Sequence, residues 1–184
     1  GAAILVPLPI FDIWPAEQAM ALLDQESRPA LCRYVSASDR TKLIHWNMVE
    51  EFSKEDLVDQ LRGNHLPRPS TWRHLLNLWS YIAPEVTDWQ CHDADRLRIV
   101  PVQGKEVLYS ASEVVRLGEK KLLQSDEDWE FLADHLIVLN QNWTRFLAEQ
   151  RRNTGEGDGG RGDAVEAAFA VLEEIGLDET SDGN

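Results

Sequence analysis

The chain is poor in cysteine and in positive charge, and it has no long apolar run. Two cysteines, Cys32 and Cys91, in 184 residues are too few for the disulfide framework of a secreted domain, so a cytoplasmic protein is expected. Eighteen Lys and Arg against 32 Asp and Glu leave a formal net charge of −14. That is the wrong sign for nucleic acid, which rewards clustered cations that displace its counterions. The densest basic group, Arg145, Arg151 and Arg152, falls at the end of a helical pattern and suits the helix macrodipole there. No stretch approaches the ~20 apolar residues of a membrane helix, so no membrane partner is expected either. The opening residues 2–11 are apolar but lack a basic flank and are broken by Pro7 and Pro9, so they are expected to be neither a signal peptide nor an anchor. Such an abrupt start reads as a piece of something longer, with Gly1 a tag remnant.

What is present is enough for a packed core: 43% hydrophobic residues and seven tryptophans. The charge is uneven. From Asn153 onward nine acidic residues face one basic one, whereas positions 1–152 hold 23 acidic and 17 basic residues. The composition therefore divides the chain into a mainly helical domain over 1–152, a Gly-rich flexible linker over 153–162, and a C-terminal helix with an acidic tail over 163–184. The Arg161-Gly162-Asp163 triplet in the linker matches an adhesion motif by coincidence.

The expected fold class is α+β, predominantly helical with a small β-hairpin or short sheet. Residues 3–11 read as a short strand that its prolines demote to a sheet edge. A helix follows Pro15 to Leu23, then a strand over Ala30–Val35. Ser38 or Asp39 can cap a helix to about Asn47, with Leu43, Ile44 and Trp46 apolar. Ser53-Lys54-Glu55-Asp56 is a capping signature opening a helix that stops at Gly63, and residues 66–69 (Leu-Pro-Arg-Pro) read as a linker. Trp72, Leu75, Leu76, Trp79 and Ile82 form the strongest apolar stripe, a core helix that Pro84 is expected to end. Two apolar runs around Gln103-Gly104-Lys105-Glu106 predict a hairpin near 97–109. Ser110 to Glu113 repeats the capping logic for a short helix to Gly118, and Ser125–Asp128 opens another with Trp129, Leu132 and Leu136. Trp143, Phe146 and Leu147 carry a helix to about Arg152 after a break at Asn140. Asp163 can cap a last one, with Val165, Ala168, Phe169, Leu172 and Ile175 on one face and Gly176 as terminator.

No motif assigns catalytic, cofactor-binding or metal-binding residues, and no enzyme activity or cofactor is expected. Cys91-His92-Asp93 with Asp95 clusters ligand types, but a zinc site needs a second pair at compatible spacing and Cys32 is distant. The five histidines, His45, His65, His74, His92 and His135, are scattered, and there is no Gly-x-Ser-x-Gly elbow. No Gly-x-x-x-x-Gly-Lys-Ser/Thr loop is present and no Gly-x-Gly-x-x-Gly follows a strand; the Gly-rich linker follows a helix and carries acids that would repel phosphate.

Several segments in order resemble those that follow or link the ATPase modules of sacsin-like and NO VEIN-like large proteins. They are Leu8-Pro9-Ile10-Phe11 as an opening strand, Lys42-Leu43-Ile44 leading into the segment 52–58, Ser70-Thr71-Trp72 with the segment 75–82, and the segment 99–105 followed by 110–115. The similarity covers roughly residues 8–150. Those proteins carry GHKL-type ATPase domains, whose helix with the magnesium-site Glu and Asn has no counterpart among the segments that match. The resemblance implies a non-catalytic interaction or coupling module of a chaperone-like protein, with any ATPase activity elsewhere in the parent chain. Its partner would be a protein, either the parent's own ATPase module or a client. The alternatives are a stand-alone protein-binding adaptor with an acidic docking tail, and a small hydrolase whose site assembles from dispersed His, Asp and Cys.

Overall fold

The strongest apolar stripe in the sequence becomes the helix around which the molecule is built. The computed structural model describes residues 3–15, 17–19, 30–31, 36–114, 127, 131, 134–154 and 159–177. Helices are labelled α1 (Leu8–Phe11), α2 (Ala37–His45), α3 (Lys54–Gly63), α4 (Trp72–Val86), α5 (Gln141–Asn153) and α6 (Gly159–Glu174). Strands are β1 (Ala3–Leu5), β2 (Ala30–Leu31), β3 (Val49–Glu51), β4 (Arg98–Pro101) and β5 (Leu108–Ser110). The fold is thus predominantly helical α+β with small sheets, as the composition and periodicity predict.

In α4, Leu75, Leu76, Leu78, Trp79, Ile82, Ala83 and Val86 are buried, and the Thr71 hydroxyl accepts the His74 amide at 3.2 Å to cap the helix. Pro84 does not end it. A proline in the last turn deprives only the Ser80 carbonyl of its donor. Thr87 closes the helix instead, giving both its amide (2.9 Å) and its hydroxyl (2.8 Å) to the Ala83 carbonyl.

Four elements cover α4. Leu57, Val58 and Leu61 of α3 and Val165, Ala168, Val171 and Leu172 of α6 pack into one core with Ile99, Val100 and Leu108 of the hairpin. From α5, Trp143 sets its ring 5.1 Å from Trp79, edge to face, and 5.8 Å from Trp72. The Trp79 indole N–H donates to the Ile99 carbonyl at 2.9 Å, which ties helix to hairpin.

The hairpin forms where expected, with β4 and β5 antiparallel and Gly104 in the turn at φ 73°, a conformation glycine adopts without cost. The segment 66–69 is no linker. The Leu108 amide donates to the Leu66 carbonyl and the Arg68 amide to the Glu106 carbonyl (2.9 and 2.8 Å), so it pairs alongside β5, while the Pro67 carbonyl accepts the Trp14 indole N–H at 2.8 Å. Its two prolines lie where the ladder does not use their missing donors. On the opposite side, Gln103 donates to Val138 and Asn140 to Pro101, flanking β4 as well.

The second sheet has the order β2-β1-β3, all parallel. β1 is therefore central rather than an edge, because Pro7 and Pro9 lie beyond it: Pro7 precedes α1 and Pro9 occupies its first turn, where no N–H is needed. Leu8–Phe11 is accordingly a helical turn, not the strand assigned by resemblance. Residues 17–19 are helical; the rest of the helix read to Leu23 lies outside the described residues, as do Cys32–Val35 of the second strand.

Capping mostly follows the sequence. Ser53 and Asp56 form the reciprocal box, the Ser53 hydroxyl accepting the Asp56 amide at 3.1 Å and the carboxylate accepting the Ser53 amide at 2.8 Å. At α2 the cap is Ser36, one turn-start earlier than Ser38 or Asp39, with its hydroxyl accepting the Asp39 amide. Asn140 caps α5 by accepting the Asn142 amide. Residues 111–114 form a turn, and the helix expected to Gly118 runs outside the described residues. Residues 127, 131, 134 and 135 are helical, Leu136 is exposed, and Trp129 and Leu132 lie outside the described residues.

The last helix starts at Gly159, inside the stretch read as linker, and not at Asp163. Residues 159–162 are thus helical, and Val165, Ala168, Val171 and Leu172 of the same helix are buried in the core. Gly176 terminates it at φ 77° with the Leu177 amide reaching back to the Leu172 carbonyl (3.1 Å). Residues 155–158 and 178–184 lie outside the described residues.

Candidate functional site

The loop that carries Cys91, His92 and Asp93 follows the end of α4 and meets α3. There Arg62 clamps Asp93 in two bonds, Nε to Oδ2 at 2.9 Å and Nη2 to Oδ1 at 3.3 Å, and gives Nη1 to Asp59 at 2.9 Å. The guanidinium holds the Asp93 carboxyl below the usual carboxylate range. Cys91 turns its Sγ toward Asp93 Oδ1 at 3.9 Å, and burial raises its thiol pKa, so it is a poor nucleophile and a poor ligand. His92 is exposed, and the carboxylate a hydrolase would set beside a histidine is held by arginine. Among the described residues no group of three or more His, Cys, Asp and Glu could hold a metal ion. The loop and α3 border an open groove of about 270 Å³ with Glu55, Asp59, Glu85 and Asp88 on its walls.

A second polar cluster joins the α3–α4 connection to the hairpin. His65 Nε2 lies 3.1 Å from Glu113 Oε1, and its ring rests 4.7 Å from that of Tyr109. Glu113 also accepts the Ser110 amide at 2.9 Å and faces Arg98 Nη2 at 3.5 Å. Burial alone would raise the Glu113 pKa; the Ser110 amide, His65 and Arg98 together outweigh it and bring it below the ordinary value. The Ser110 hydroxyl is paired with that of Ser112 at 2.9 Å, not with the imidazole, so the nucleophile–base contact of a hydrolase is not made here. Arg98 spends Nη1 on the Arg62 carbonyl at 2.6 Å. This cluster is a clamp between elements.

The remaining histidines serve locally. His74 Nδ1 lies 2.8 Å from the Thr71 hydroxyl at the α4 cap, and His135 Nδ1 lies 2.9 Å from the Phe131 carbonyl. His45 is exposed at the end of α2.

The end of α2 carries exposed apolar side chains: Ile44 and Trp46, read as apolar residues of this helix, are 38% and 61% exposed, and Met48 is 57% exposed. The backbone there is fixed: the Asn47 amide donates to the Ile44 carbonyl and the Met48 amide to the Leu43 carbonyl, each at 3.0 Å, with Asn47 at φ 54°. This is the helix-ending motif normally built on glycine, here closed by asparagine, which tolerates the left-handed region. It holds Trp46 and Met48 on one rigid corner. Within α2 itself the apolar residues are Ala37, Leu43 and Ile44, too few for a continuous buried face.

No family model, no curated protein and no solved structure matches this chain. Among the described residues, no helix is long and apolar enough to cross a membrane.

Proposed function

We propose that this chain is a non-catalytic protein-interaction module, coupled to a GHKL-type ATPase within a larger chaperone-like protein. The observation that carries the interaction half is the corner of Ile44, Trp46 and Met48. It exposes on the order of 300 Å² of apolar side chain, the size at which a surface patch is commonly a contact site. Covering it would contribute roughly 7 kcal/mol before the costs of association. The ATPase half rests on the segments between residues 42 and 115 that resemble sacsin-like proteins.

Light scattering of a thermally unfolding client enzyme tests the reading. Added in equimolar amount, the chain should delay aggregation, and Trp46→Ser with Met48→Ser should remove most of the delay while leaving the melting temperature unchanged. Equal protection by wild type and variant would refute the corner as the contact. Calorimetry with a non-hydrolysable ATP analogue addresses the coupling: heat is expected only from a longer chain that includes the ATPase module. Tight binding by these 184 residues alone would contradict it.

A further inference from the structure

We draw no further inference here: the strongest candidate, the open groove between α3 and the loop after α4 that is walled by Glu55, Asp59, Glu85 and Asp88, is a cluster of acidic residues with no second observation in the structure that points to a ligand.

Discussion

Trp79 has no exposed surface, gives its indole N–H to Ile99 and meets Trp143 edge-on, so it links α4, the hairpin and α5 through one side chain. Trp79→Ala should cost about 3–5 kcal/mol, because a side chain of that size leaves a cavity its neighbours cannot fill. Trp79→Phe keeps much of the volume but strands the Ile99 carbonyl, and the expected loss is about 1–3 kcal/mol. Urea titration of both variants separates packing from hydrogen bonding, and a Phe variant as damaged as the Ala variant would rule out the packing account. Asp93 behaves differently because its contribution depends on pH. Its carboxyl is held low by Arg62, so the stabilisation is present above the unfolded value of about 3.9 and is lost as pH falls through the lower folded value. Asp93→Asn should therefore be destabilising at pH 6 and close to neutral near pH 2. A difference that does not change across that range would mean the Arg62 clamp contributes nothing to stability.

At the scale of elements, Pro84 is a residue of the last helical turn, which Thr87 closes through the Ala83 carbonyl while the Ser80 carbonyl loses its helical donor. Pro84 is exposed, so an alanine there meets no neighbour that must move. Pro84→Ala should restore the bond to the Ser80 carbonyl and stabilise the protein by about 1 kcal/mol, net of the freedom the unfolded chain regains. A lower melting temperature in that variant would mean that the proline instead braces the loop to Cys91. The same element shows what the sequence made legible and what it did not. The stripe from Trp72 to Ile82, the Ser53–Asp56 box and the Gly104 turn are local patterns, and each appears where local reasoning puts it. The pairing of residues 66–68 with β5 and the central place of β1 depend on partners 26 to 46 residues away in sequence, which no local window encodes. Leu43, Ile44 and Trp46 read in the sequence only as apolar residues of this helix, and the exposure of Ile44 and Trp46 depends on what the rest of the fold leaves uncovered, which no local window encodes.

For the whole molecule, the question is whether α6 belongs to the core or hangs from it. Gly159, Gly160 and Gly162 make its first turn a weak helix former, so its order must come from docking. The docked face is complete: Val165, Ala168 and Val171 have no exposed surface, and they close over α4 residues that are equally buried. Arg151 of α5 reinforces the join, stacking its guanidinium 4.3 Å from the Phe169 ring and pairing with Glu166 at the surface. Undocking α6 would bare Val165, Ala168 and Val171 and the part of α4 they cover to water. Native-state hydrogen exchange should then show amides 165–172 opening with the same free energy as amides 76–83, while amides 160–163 exchange through local fraying. Should 165–172 open several kcal/mol more easily than α4, the helix is an appendage after all, and the division of the chain near residue 153 drawn from composition would stand. Matched free energies would make residues 159–177 part of one cooperative unit with the core built on α4.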